Sequence, residues 1–532
     1  MFPLTRFKAS AQQLAFAAAL FVAASHAPLH AQSPFRPSGA LPSLGDNSEL
    51  AAAAERRIGD RIAVSIYRDP DYIDDPVLMD YLQTIWQPLM TAARARGELS
   101  AELDERFAWE IFLIRDRSIN AFALPGGYLG VHLGLMGAVT SRDELAAVLG
   151  HELSHVTQRH ISRLITQQAK TTPLLIGAMI LGALAASKNP QAASAAIVGG
   201  QAVAAQSQLN FSRDMEREAD RVGIGVMLDA GFESRGVASM FEKLQQASRL
   251  NDNGAFPYLR SHPLTTQRIA EVQARLQLAS IEAPSANFAS NEAAVKARVL
   301  HAMMAARARV LADPGVDVLR AMVAEAQRPA VVGLAATAAL DIRNAGAMYA
   351  GALAAAKLRE FATARVLVEK VKTIAGDNVG ASSAATLLSM EVDLLAGTIP
   401  PAAQLIDISK TTQRADLLVH SKALLAAGRA QDVSSRLLTW VTDHPKDSGA
   451  WQLLAVAYGN QGQAVRAIRA DAESHAARLD YPAALDRLRA AQNMMRSNPA
   501  SADFMEGSII DTRARQLDAL IKQQTLQDKL DR

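Results

Sequence analysis

A helix carrying two histidines four residues apart constrains this chain more than any other stretch. Ser141 and Glu144 have the spacing of a capping box, and Leu145, Val148, Leu149 and Val156 recur at the helical period. On that helix lies His151-Glu152-Leu153-Ser154-His155. Residues four apart are about one turn apart, so both imidazoles leave the same face and can share one metal ion. Glu152, about 100° further round, can reach a water on that metal and take its proton. Such a helix needs a partner to complete the metal's coordination.

Two histidines require a third protein ligand, with one position left open for chemistry. Residues 156–160 lack the glycine and histidine spacing that would supply it locally, so His160 reads as a surface helical residue. The third ligand is sought at 211–220. Ser212 can cap a helix there, and Glu216 and Asp220 fall on one face while Glu218 faces elsewhere. Glu216 then completes a His₂Glu set, and Asp220 can accept the outer N–H of a ligand imidazole and fix its tautomer.

Composition narrows the alternatives. The chain has 532 residues, enough for about three domains. With 49% hydrophobic and 20% charged residues it can bury a sizeable core. Aromatics are only 5% and alanine is abundant, which favours helices over a β-sandwich or barrel. Lys+Arg 55 against Asp+Glu 53 excludes the basic footprint of a nucleic-acid binder. There is no cysteine, which excludes disulfide scaffolds, thiol nucleophiles and cysteine-based zinc fingers; any transition metal must sit on His, Asp or Glu.

Residues 1–31 read as an export signal. Arg6 and Lys8 precede the uncharged run Leu14–Ala24, which is too short to span a bilayer, and cleavage is expected after Ala31, with a weaker site at Ala27. Residues 32–47, rich in Pro and Gly, form a flexible lead-in. Phe107–Ile114 reads as a strand, and Asn120–His132 as a turn, a glycine pair and a second strand. Residues 171–210 read as an apolar helical hairpin, an insertion packed on its own domain or touching a membrane surface. The run Thr171–Ser187 would extend about 25 Å as a helix, short of a bilayer core. A Pro/Ser/Asn stretch near 284–291 marks a boundary, a helical connector fills 283–340, and 341–532 carries hints of a 34-residue helical repeat. Trp451, Leu454, Ala455 and Tyr458 fit one helix of a unit, Tyr481 and Ala484 a second; residues 375–440 are hard to phase, and a generic helical bundle is the alternative.

Asn120–Gly127, His151–His155 and Glu216–Asp220 together resemble the gluzincin family shared by HtpX and the CAAX prenyl proteases. With the signal and the helical C-terminal half, the chain looks most like the exported members that carry tetratricopeptide repeats. The resemblance covers roughly 48–275. It implies one zinc ion held by His151, His155 and Glu216, with Glu152 as the base of an endopeptidase. It also implies that the strand with Tyr128, Leu129, Gly130, Val131 and His132 pairs with extended substrate. Ser261-His262-Pro263 matches a loop that lies by the metal, where the histidine either polarises the scissile carbonyl or occupies the open site. Arg268 either orients Glu216 or stabilises a developing oxyanion.

The expected fold is α+β and mostly α: a protease domain over 48–282 with a small sheet, then a tetratricopeptide-like domain. The expected function is a periplasmic zinc endopeptidase acting on unfolded or misassembled envelope proteins, with the repeat half docking on outer-membrane assembly machinery, and with peripheral membrane contact left open. A non-proteolytic chaperone or assembly scaffold with a latent metal site is the competing class.

Overall fold

A computed structural model describes residues 50–167, 212–249, 257–282, 291–328, 338–400, 407–497 and 503–530. The expected signal, lead-in and apolar hairpin lie outside these residues. Among the described residues no helix is long and apolar enough to cross a membrane.

The chain opens with α1 (Ala52–Arg68), β1 (Tyr72–Ile73), α2 (Pro76–Ala95) and α3 (Ala101–Arg106). Asp75 caps α2 by accepting from the Leu78 N–H, and Pro76 takes the first helical position, where its missing N–H costs nothing. Then come β2 (Glu110–Ile114), β3 (Ala121–Leu124), β4 (Tyr128–His132) and α4 (Leu133–Ala138). Sequence reading saw β2 and β4 but took β3 for a turn. The turn proper is Pro125-Gly126-Gly127, whose glycines adopt φ of 76° and 84°. A Cβ at Gly126 would lie 2.8 Å from the Arg56 Cα, so both the turn and the close approach require glycine.

The sheet order is β1-β2-β4-β3. β2 and β4 run parallel, Ile111 opposite Leu129 and Leu113 opposite Val131; β3 is antiparallel to β4, Phe122 opposite Gly130. This corrects one expectation. Tyr128, Leu129, Gly130, Val131 and His132 cannot pair with an incoming strand, because both edges of β4 are taken, by β2 and by β3. The edge strands are β1 and β3; β3 has no second strand partner among the described residues and packs against the helix that follows.

That helix is α5 (Arg142–Thr157), followed by α6 (His160–Gln167), α7 (Arg213–Asp229), α8 (Arg235–Arg249), the short α9 (Tyr258–Ser261) and α10 (Thr266–Glu282). The Ser141 hydroxyl caps α5 by accepting from the Glu144 N–H, while the Glu144 carboxylate accepts from the Thr140 N–H rather than completing the box at Ser141. Leu145, Val148, Leu149 and Val156 are all buried, as their period requires. α5 and α7 meet at a pair of glycines. A Cβ on Gly223 would lie 2.9 Å from the Gly150 carbonyl oxygen, and one on Gly150 would lie 3.2 Å from that of Gly223. Small residues here let two backbones touch.

The remaining helices are α11 (Asn291–Leu311), α12 (Val316–Gln327), α13 (Ala338–Lys357), α14 (Phe361–Ala375), α15 (Val379–Leu395), α16 (Arg414–Ala426), α17 (Ala430–Asp443), α18 (Ser448–Asn460), α19 (Ala464–Ala477), α20 (Tyr481–Ser497) and α21 (Phe504–Leu530). Successive helices pack on one another, and the starts at 414 and 448, like those at 430 and 464, recur every 34 residues. Gly428 and Gly462 close two of the turns with positive φ, while Arg359 and Leu479 adopt the same conformation at others. Glycine's absence there is what blurs the repeat in sequence.

Residues 48–532 form one compact unit, and a single apolar core runs from Ala52 to Ala423 across the expected joins at 282 and 340. Buried charges tie the ends together. Arg307 on α11 lies 2.7 Å from Asp75 and 2.7 Å from Glu391. Arg414 bridges Asp74 at 2.9 Å and Asp447 at 2.8 Å. Replacing Arg307 by Met strands the buried Asp75 carboxylate and leaves the partly exposed Glu391 unpaired, and is expected to cost about 3–5 kcal/mol, read from urea unfolding. Gly223→Ala forces α5 and α7 apart and is expected to cost about 1–3 kcal/mol by the same measurement; wild-type stability would show that the helices have room to spare.

Candidate metal centre

α5 presents His151, Glu152 and His155 into the protein, all buried. α7 starts at Ser212, whose hydroxyl accepts from the Met215 N–H, and so places Glu216 and Asp220 one turn apart facing α5. The glycine contact sets the separation: His155 Nε2 lies 3.4 Å from Glu216 Oε1, and His151 Nε2 lies 3.5 Å from Glu216 Oε2. The two histidine Nε2 atoms are 2.9 Å apart. His262, just past α9, brings its Nδ1 to 3.0 Å from Glu216 Oε1 and 3.3 Å from His151 Nε2.

Among the described residues, His151, His155, Glu216 and His262 offer ligand atoms that all lie within 4.8 Å of one another. Three imidazoles and a carboxylate so close form a donor set shaped for a metal ion. Orphaned atoms agree. Both carboxylate oxygens of Glu152 are buried without a hydrogen-bond partner, and Glu216 Oε2 makes none either, although Arg268 Nη1 lies 2.7 Å away. Leaving such groups unsatisfied costs about 1–3 kcal/mol each, more when charged, which is tolerated where a ligand completes them. The residues fit a zinc-type ion, with His151, His155 and Glu216 as ligands and His262 within reach as a fourth.

Electrostatics prepare the donors. Burial favours neutral Glu216, yet the facing His262, His151 and His155 rings hold it well below the usual carboxylate range. Burial alone depresses His151, but the hydrogen bonds its ring donates to Asp220 and Glu216 outweigh it and raise the ring to about 10, so a metal must displace that proton. Burial dominates at His155 and keeps the ring neutral, as a ligand must be.

Outside this group, Asp220 Oδ1 lies 3.0 Å from His151 Nδ1, the position expected for a residue that fixes that ring's tautomer. Arg268 grips Asp220 with Nε at 2.7 Å and Nη2 at 2.9 Å, and donates Nη1 to the Pro263 carbonyl at 3.0 Å. The guanidinium is thus spent on orienting the two carboxylates and the His262 loop. Glu218 points away, as its phase on the helix requires, toward His160 and Arg163.

His160 is the correction. It is not a surface residue of a continued helix but fully buried, its Nδ1 2.9 Å from that of His155. α5 ends at Thr157, and Arg159 takes a left-handed φ of 54°, held by Glu55 at 2.8 Å, so the chain turns sharply and α6 begins at His160. Nothing in a helical period anticipates that reversal. Burial holds the His160 ring down to about 4 and so neutral. Tyr258 was also missed: it stacks on His262 with centroids 4.5 Å apart and an interplanar angle of 25°. An aromatic four residues before the histidine was its one available signal.

Comparison with known proteins follows this geometry. Residues 80–276 match Peptidase family M48. The chain is 36% identical to a putative beta-barrel assembly-enhancing protease of Vibrio cholerae over 44% of its own length and 47% of that protein, about half of the relative. It is 27% identical to the beta-barrel assembly-enhancing protease of Escherichia coli over 84% of this chain and 86% of the other. Mitochondrial metalloendopeptidase OMA1 of Arabidopsis thaliana is 31% identical over 31% of each chain. Residues 80–276, the stretch that matches Peptidase family M48, contain all four clustered donors, His151, His155, Glu216 and His262.

Proposed function

We propose that this protein is an exported zinc endopeptidase that cleaves misfolded or misassembled envelope proteins during outer-membrane protein assembly. One observation carries the reading: Glu152, 0% exposed and with neither oxygen hydrogen-bonded among the described residues, sits beside the four-donor cluster His151, His155, Glu216 and His262. A buried carboxylate without a hydrogen bond is held at a cost, and the next-door metal position gives it a task.

When bound, zinc supplies a Lewis acid that polarises a peptide carbonyl and acidifies water. Glu152 takes the proton of the attacking water and returns it to the leaving amine. Asp220 holds His151 in the tautomer that leaves Nε2 free for coordination, and Arg268 fixes Asp220 and Glu216 in place. β3, Ala121–Leu124, packs against α5, and its edge, which meets no strand among the described residues, is where an extended substrate can add as a strand. The names of the Vibrio and Escherichia relatives support a role in β-barrel assembly. The repeat-bearing half, of tetratricopeptide type by its 34-residue period, is the surface for docking on assembly machinery. The charged run Arg6–Lys8 ahead of an apolar stretch supports export to the periplasm.

His262 is the resting fourth ligand in this reading. Its Nδ1 lies among the donors and its Nε2 is 3.5 Å from Glu152 Oε1, so one ring covers both the open position and the base. That placement is also what a latent scaffold requires, and activity separates the two readings. The purified mature chain is expected to hold one zinc and digest casein. Glu152→Gln should keep the metal and lose about 100-fold or more in turnover; equal digestion would remove Glu152 as the base. A metal-bound, inactive wild type would favour the scaffold.

Alanine at His151, His155 or Glu216 should abolish metal retention, checked by metal analysis after gel filtration. His262→Ala should raise basal proteolysis by uncovering the site. A fall in turnover would instead assign His262 to carbonyl polarisation, and no change would leave it an ordinary loop residue.

A further inference from the structure

His151 and His155 both turn Nε2 toward the shared centre, and His151 meets a carboxylate directly at its outer nitrogen, Asp220 at 3.0 Å. The outer nitrogen of His155 meets another imidazole. His155 Nδ1 and His160 Nδ1 are 2.9 Å apart, with ring centroids 4.9 Å apart and planes at 76°, so one nitrogen points at the other's edge. On the far side, His160 Nε2 lies 3.1 Å from Glu218 Oε2, the oxygen that Arg163 holds at 2.7 Å.

Only one proton fits between two nitrogens, which fixes the whole chain of bonds. If His155 gives Nε2 to a metal, its proton sits on Nδ1. His160 Nδ1 must then accept, its own proton sits on Nε2, and that N–H is donated to Glu218. Each link has an acceptor facing a donor and none is left over. We propose that His160 and Glu218 are positioning residues of the metal centre, a histidine-to-carboxylate relay that locks the His155 tautomer as Asp220 locks that of His151. His160 occupies this place because the left-handed turn at Arg159 folds it back against α5, and Glu218 reaches it from the face of α7 opposite Glu216.

The relay rests on the metal-site reading above and predicts a property that packing alone does not: tuning of metal affinity by an acceptor atom. The test uses the full mature chain, with zinc affinity measured by competition with a chromophoric chelator and the cobalt-substituted absorption spectrum as a second readout. His160→Leu keeps most of the volume and removes the acceptor. It is expected to weaken zinc by about 10–100-fold and shift the cobalt spectrum. His160→Asn places an amide oxygen near the lost Nδ1 and should restore most of the affinity. Glu218→Ala, at a partly exposed position, should retain zinc at micromolar concentration but bind it several-fold more weakly than wild type. Unchanged affinity and spectrum in His160→Leu, or in Glu218→Ala should the first variant not fold, would overturn the relay while leaving the metal site intact. Loss in His160→Leu that His160→Asn does not repair would reduce His160 to packing and overturn it as well. A wild-type chain that binds no zinc would instead overturn the metal-site reading on which the relay stands.

Discussion

The contact of α5 with α7 at Gly150 and Gly223 sets everything that follows. Two helices that touch backbone to backbone bring His151, His155 and Glu216 within one ion's reach, and a single methyl at Gly223 would have to share space with the Gly150 carbonyl. Interiors this dense transmit a displacement rather than absorb it. The donor geometry is therefore a property of helix packing, and the sheet beside α5 and the α8 and α10 helices around it hold that packing in register.

Around the donors, charge is arranged in opposed pairs. Arg268 offsets Asp220 and Glu216 from one side, and the three imidazoles face Glu216 from the other. Buried charges survive only when paired in this way. Glu152 has no hydrogen bond to either oxygen among the described residues, and its nearest ring nitrogen, His262 Nε2, stays 3.5 Å away. Structural stability does not account for a group left so; the proposed proton transfer does.

The C-terminal helices are fused to the part that carries the donor cluster rather than tethered to it. Arg307 and Arg414 each bind acidic residues from both parts of the chain, and the apolar core passes between them without interruption. A partner bound to the helical repeats would push on a body continuous with α2, which packs against both α5 and α7.

The sequence by itself determined which candidate ligands share a helix face. His151 and His155 share a face because four residues make about one helical turn, and Glu216 and Asp220 share one for the same reason, while Glu218 is thrown to the other side. Local periodicity needs no partner to be read, so the α5 stripe, the Ser212 cap and the mostly helical class with its small sheet were all legible, as was the likeness to a metallopeptidase family. What periodicity cannot express is where a chain reverses or which strand lies next to which. The left-handed Arg159 ended α5 and buried His160, a conformation fixed by Glu55 about a hundred residues earlier in the chain. The order β1-β2-β4-β3 put β4 inside the sheet and β3 at its edge, since pairing is a contest among strands that only the assembled sheet decides. The repeat is blurred at 359 and 479, where Arg359 and Leu479 take turn conformations that glycine usually marks. For His160 and for the sheet an interaction distant in sequence outweighed the local preference, and the tertiary structure alone records which one won.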